Sequence, residues 1–191
     1  MSKTLSTLIV IVIVIGFPAI GMIAGGRVPA LVFSMALVGG LIFWLATTAK
    51  VQVDPQKIIV PYLLAVVLFI VHVNEEYRNN FAAYITNWTG FHLTEKNFLT
   101  VSAFVAPILW LTGAILVLMR TPVGYYMLSF FFVAMTISEL AHFVFPFVDG
   151  TLGYNPGLHT AALPLIPAGY GIYVVIRETR QARQGGYSHR G

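Results

Sequence analysis

The chain has no cysteine among its 191 residues. Disulfides, thiolate catalysis and Cys-ligated zinc or iron-sulfur centres are therefore excluded, and cysteine usage carries no information on redox compartment. Charge is scarce too: only 9% of residues are Asp, Glu, Lys or Arg, and just seven are acidic. Ordinary soluble domains carry about 25% charged residues, so a solvated globular surface is excluded. No internal repeat or low-complexity segment is visible, which argues against a solenoid.

What fills the space is apolar: 58% of the chain is hydrophobic and mean hydropathy is +0.82. Hydrophobic runs recur at 5–23, 28–47, 58–77, 98–119, 123–148 and 158–176, each near the roughly 20 residues that span a bilayer. The pattern predicts an all-α integral membrane protein, a six-helix transmembrane bundle forming one domain over 1–177. Lys3 ahead of the first run gives it a signal-peptide look, but the run continues through Phe17 and Pro18 with no small-x-small cleavage site, so it reads as helix one. Residues 178–191 read as a basic, disordered tail.

Basic residues in short loops set the orientation. With six spans, Lys3, Lys50, Lys57, Arg120, Arg177, Arg180, Arg183 and Arg190 share one side, against Arg27, Arg78 and Lys96 on the other. That bias predicts both termini in the cytoplasm. It also accounts for the net charge of +4, so the bilayer is the expected partner and nucleic acid is not. Between helices three and four, residues 78–97 mix Phe81, Tyr84, Trp88 and Phe91 with Asn, Thr and Gly, as an interfacial loop or short helix does. That segment is either a lid or a plain aromatic belt; Asn87-Trp88-Thr89 within it also matches a glycosylation sequon.

Three of the seven acids lie inside hydrophobic runs. His72-Val-Asn-Glu75-Glu76 and Glu139-Leu-Ala-His142 each offer His and Glu three or four residues apart, the spacing by which one helix face presents several side chains together. At about 100° per residue, Glu75 lies about 60° to one side of His72 and Glu76 about 40° to the other. Both runs point outward in the predicted topology, with His72 about 21 Å and Glu139 about 24 Å along their helices, so the depths agree. Each buried acid costs roughly 2.5 to 3.5 kcal/mol at a span centre, and a bound cation is the simplest offset. His72, Glu75, Glu76, Glu139, His142 and, from the start of helix six, His159 are the expected ligands. Carboxylate and imidazole donors suit iron, manganese or zinc, and six of them suffice for one or two ions.

A plain structural reading exists for part of this set. Glu75 can pair with Arg78, Glu76 can reach Asn80, and His72 can be a hydrogen-bonded histidine near a helix end. Glu139 resists it, since the only basic residue on its own run is Arg120 at the far end. His92 and Glu95 repeat the spacing on an exposed segment, where it is a coincidence of composition, and His189 belongs to the tail.

At these motifs the chain resembles the HXXEE family of membrane proteins, named for the pattern that His72, Glu75 and Glu76 form here. The family also carries Asn-Glu-x-x-His and Cys-x-Pro-Gly elements. Glu139 and His142 match the former, with Ser138 in place of Asn; Pro156 and Gly157 match the latter, with Tyr154 in place of Cys. The resemblance implies a site on helices three to six without naming a reaction. The expectation is a membrane-embedded metal-dependent enzyme, an oxidoreductase or hydrolase acting on a lipid-like or hydrophobic small molecule. Its divalent metal is iron or zinc, with Glu75, Glu76 and Glu139 as catalytic carboxylates. Carboxylate-rich ligands lean the expectation toward iron. The rivals are a metal-free acid/base isomerase, a structural partner in a larger complex, and a proton- or cation-coupled transporter that uses the same residues as a relay.

Overall fold

A computed structural model describes residues 3–25, 27–51, 53–150 and 152–188, with the side chains of 3–4, 17–25, 27–30, 32–33 and 185–188 left aside. All regular structure among the described residues is helical: α1 (Lys3–Gly25), α2 (Arg27–Ala46), α3 (Pro55–Arg78), α4 (Phe81–Thr89), α5 (Glu95–Leu118), α6 (Pro122–Val148) and α7 (Ala162–Ser188). α5 is continuous through a π-helical section at Thr100–Val105.

Local chemistry sets the helix starts. Asp54 caps α3 by accepting from the Gln56 N–H at 3.3 Å, and Thr121 caps α6 by accepting from the Gly124 N–H at 3.1 Å. Pro55 and Pro122 follow those caps at the first helical position, where the missing N–H costs nothing. α3 stops where Asn80 turns left-handed at φ 58°, and α4 stops at Gly90 with φ 71°.

α3, α5 and α6 are long and apolar enough to cross a bilayer, and the stretches Leu5–Gly16 of α1 and Ser34–Ala46 of α2 are apolar as well. The chain is thus a membrane protein, helical throughout its described regular structure, and three of the six expected spans meet both criteria among the described residues. The segment expected from 158 begins only at Ala162, because 156–161 make turns around Gly157 at φ 95°. It then runs on through the basic residues to Ser188, so 178–188 continue a helix where a disordered tail was expected. Residues 189–191, with His189 and Arg190, lie outside the described set. The short element between α3 and α5 is the helix α4.

α6 is central, packing on α1, α2, α5 and α7, while α3 packs on α5 and α7. α2 and α6 approach closely at Gly40, where a Cβ would come 2.5 Å from the Phe130 Cα. α3 meets α6 through side chains: Tyr62 sits edge-on to Phe131 at 4.8 Å and Phe132 at 5.8 Å, and donates to the Trp110 carbonyl at 2.9 Å. Cross-links gather at the two ends of the bundle. At the basic end, Lys57 pairs with Glu178 at 2.5 Å, Arg183 donates to the Ala46 carbonyl at 2.7 Å, and Tyr125 donates to the Val53 carbonyl at 2.5 Å. At the distal end, Tyr84 of α4 donates to Asp149 at 2.6 Å, and the 152–161 connection folds over α3 and α6.

Candidate metal centre

The helical ladder places His72 and Glu76 one turn apart on α3 and Glu139 and His142 one turn apart on α6, and all four are buried: 1%, 6%, 1% and 3% exposed. His72 Nε2 lies 3.6 Å from Glu76 Oε1, and His142 Nε2 lies 3.4 Å from that same oxygen. The two imidazole rings stand edge to face with centroids 4.9 Å apart. Donor atoms of His72, Glu76 and His142 fall within 4.8 Å of one another. Glu139 joins through His72, its Oε2 lying 3.2 Å from His72 Nε2.

The other ring nitrogens fix the tautomers. Asn155 donates its amide N–H to the His142 carbonyl at 2.8 Å, which orients its oxygen toward His142 Nδ1 at 3.1 Å. Nδ1 must then be the donor. Thr160 spends its hydroxyl proton on Glu75 Oε2 at 2.5 Å, so its oxygen accepts from His72 Nδ1 at 3.0 Å. In the neutral imidazoles both Nε2 atoms therefore carry lone pairs, and those lone pairs face carboxylate oxygens. Acceptors facing acceptors in a buried pocket repel unless a cation lies between them. Glu139 Oε2 is also buried without a hydrogen-bond partner, although Ser138 donates to its Oε1 at 3.1 Å. Metal-binding histidines show the same arrangement, with one nitrogen held by an outer partner and the other turned inward. A tetrahedral ion with bonds of roughly 2.0 to 2.1 Å separates its ligands by about 3.3 Å, close to the 3.4 and 3.6 Å seen here. The residues fit a small divalent ion.

Of the six expected ligands, Glu75 and His159 stand apart. Glu75 accepts from Tyr154 OH (2.8 Å), the His159 N–H (3.3 Å), and both the N–H (2.8 Å) and the hydroxyl of Thr160. That engagement leaves it a structural anchor for the 152–161 connection rather than a second metal's ligand. The His159 side chain is 77% exposed and its ring lies against Tyr154, 3.6 Å from Glu75. Partial burial, and then the Glu75 carboxylate, push the Tyr154 phenol up to about 12, so it stays a donor at neutral pH. His92 and Glu95 are exposed, away from the cluster.

Three further residues contribute: Asn155 and Thr160 had not been expected, and Gly157 had been matched only as part of a family motif. Asn155 sits inside the turn that carries Pro156 and Gly157, and Thr160 follows His159; neither lies on a helix whose periodicity would reveal its direction. Gly157 is the third. A Cβ there would lie 2.6 Å from His142 Cε1 and 2.8 Å from His72 Cε1, so only glycine lets the connection seat itself on both rings, and its φ of 95° favours glycine as well. Phe81 of α4 covers His142 from another side, with centroids 5.7 Å apart.

A family profile described as protein of unknown function with HXXEE motif matches residues 63–172. The chain belongs to the HXXEE family. The match covers more than half of the chain and includes His72, Glu76, Glu139 and His142 together with Asn155, Gly157 and Thr160. No curated protein and no solved structure matches this HXXEE chain.

Proposed function

We infer that this protein is a membrane-embedded, metal-dependent hydrolase acting on a lipid-like or other hydrophobic ester or amide. One observation carries the reading: two inward imidazole nitrogens, their tautomers fixed from behind, face one carboxylate oxygen in a buried pocket, with a second carboxylate oxygen free beside them. His72, Glu76 and His142 form a two-histidine, one-glutamate set, the composition that catalytic zinc sites use with a fourth position left open. A divalent ion held by these three residues would supply Lewis acidity for activating water and polarising an acyl carbonyl.

The chain's own groups do the rest. Glu139 Oε2 takes the water proton as the water oxygen bonds to the acyl carbon, then returns it to the leaving oxygen or nitrogen when the acyl bond breaks. Thr160 and Asn155 hold the imidazoles in place, and the Gly157 turn limits water entry from the distal end. The separations of 3.4 and 3.6 Å from the two imidazole nitrogens to Glu76 Oε1 match tetrahedral spacing and favour zinc over iron. The engagement of Glu75 elsewhere favours one ion over two. The six-span arrangement with both termini in the cytoplasm completes the reading, supported by the six apolar runs and by the gathering of Lys57, Arg120, Arg177 and Arg183 at one end.

The test is elemental analysis of detergent-purified protein. About one equivalent of zinc, lost in His142→Ala and Glu76→Gln but kept in Glu75→Gln, is expected; absence of any metal from protein purified with metal present defeats the reading. A second reading has its own observation. His159, Glu75, Thr160, His72 and Glu139 form a file of polar groups from the exposed surface to the buried pocket, with steps of 2.5 to 3.6 Å. That file suits a proton relay in a coupled transporter. Metal-free protein that carries proton-coupled flux in liposomes decides for it.

A further inference from the structure

The basic end holds a cavity of about 340 Å³ between the start of α1, the end of α2 and the α5–α6 turn. Trp44, Thr48, Lys50, Arg120 and Tyr125 line it, and no carboxylate does. Lys50 is exposed. Arg120, in a left-handed turn at φ 57°, reaches Asp54 with one nitrogen at 3.6 Å and keeps 58% of its side chain exposed. Tyr125 contributes its ring, since its hydroxyl is committed to the Val53 carbonyl. Deeper in the wall, Trp44 Nε1 and Thr48 Oγ1 are buried donors with no hydrogen-bond partner. Such unmet donors are rare in folded proteins and call for an explanation. Two cations in the wall and two unmet donors buried behind it, with no carboxylate among the described lining residues, describe a receptor for an anion.

The surface next to the cavity says what kind of anion. Leu45 lines the cavity and also ends a file of exposed apolar residues, Met35, Val38, Ile42 and Leu45, spaced along one face of α2. Ten residues of helix rise about 15 Å, enough to lie along much of one acyl chain. We propose that this cavity binds the headgroup of an anionic phospholipid, its phosphate between Lys50 and Arg120 and one acyl chain along the α2 file. On binding, the Trp44 and Thr48 side chains turn to present those buried donors to the glycerol or phosphate oxygens. The site is independent of the metal centre, at the opposite end of the bundle. Residues 44–51 precede the family match at 63, whereas Arg120 and Tyr125 lie within it.

The test uses the full chain in a zwitterionic detergent, titrated with short-chain phosphatidylglycerol, with phosphatidylcholine, and with inorganic phosphate. Thermal unfolding followed by tryptophan fluorescence gives the affinity. Phosphatidylglycerol is expected to raise Tm saturably, with affinity falling about fivefold in Lys50→Gln and again in Arg120→Gln, while Lys96→Gln leaves it unchanged. Thr48→Val is expected to weaken lipid binding without lowering the lipid-free Tm, an outcome that a merely structural hydroxyl would not give. Equal response to phosphatidylcholine, or full affinity in the double variant, overturns the proposal. Inorganic phosphate stabilising as well as the lipid would reassign the cavity to a small free anion and overturn the lipid assignment.

Discussion

The two ends of this bundle use their ionisable groups in opposite ways. At the basic end, Lys57, Arg120 and Arg177 reach Glu178 or Asp54 from half-exposed positions, with side-chain exposures of 50%, 58% and 43%. Pairs of that kind are screened by solvent and contribute little to stability. At the distal end there is no Lys or Arg in the cluster, and His72, Glu76, Glu139 and His142 are buried nearly completely. Counter-charge there has to come from a proton or a metal ion. The first end pairs its charges near the surface, and the second buries acids and imidazoles with no Lys or Arg among them. The difference is made by the sign of the missing charge.

That contrast predicts unequal responses to perturbation, and the largest belongs to the ion itself. At a free metal concentration about 1,000 times Kd, binding stabilises the fold by about 4 kcal/mol. For a chain of this size, Tm changes by roughly 2 to 4 °C per kcal/mol, so chelation is expected to lower it by roughly 8 to 16 °C. Scanning fluorimetry with and without a chelator measures the shift. Glu76→Gln should start from the lower Tm and respond no further. A chelator that leaves the wild-type Tm unchanged shows the distal end to be a proton-bearing network.

Gly157→Ala comes next. It places a methyl against both imidazole Cε1 atoms and forces a left-handed φ on alanine, two costs of about 1 to 3 kcal/mol each. Loss of bound metal, read by elemental analysis, should accompany the loss of stability. Gly40→Ala makes the comparison sharp: it drives α2 away from Phe130 and should cost about 1 to 3 kcal/mol while leaving one metal per chain.

Thr160 tests the support behind the ligands. Thr160→Val removes the oxygen that links Glu75 to His72 Nδ1, and loss of an outer-shell partner typically lowers metal affinity by about 10- to 100-fold. Competition with a fluorescent zinc chelator measures it. Thr160→Ser keeps the oxygen and is expected to restore most of the affinity, which separates the hydrogen bond from simple packing.

How much of this was legible in the sequence depends on where a residue sits. His72, Glu76, Glu139 and His142 are on long helices, where a three- or four-residue spacing fixes the face, so their meeting could be read from periodicity and depth alone. Glu75 could not be assigned that way. At about 60° from His72, against about 40° for Glu76, it shares the same face, and what draws it off is the set of donors from Tyr154, His159 and Thr160, residues on an irregular connection with no period to read. His159 was misplaced for the same reason, since a side chain in a turn has no face until the turn is built. The helical apolar runs were visible as hydrophobic stretches. The π-helical section in α5 left no mark in that pattern, because one extra residue per turn does not change hydrophobicity.

The smallest effect belongs to the basic end. Lys57, then burial and Arg177, act on Glu178, and the balance holds its carboxyl below the ordinary value of 4.5. A carboxyl whose pKa is depressed by folding stabilises the protein above its unfolded value, and that stability disappears as pH falls through the folded value. The Lys57–Glu178 pair should therefore contribute fully at pH 7 and nothing in strong acid. Because Lys57 is half exposed, Glu178→Gln is expected to cost no more than about 1 kcal/mol at pH 7, and the gap from wild type should close below pH 4.5. Thermal unfolding of both proteins across that range, with metal content unchanged in each, is the measurement. A loss of bound metal in Glu178→Gln would mean that the two ends are mechanically coupled through α3 and α7, and their separation into anchor and site would no longer hold.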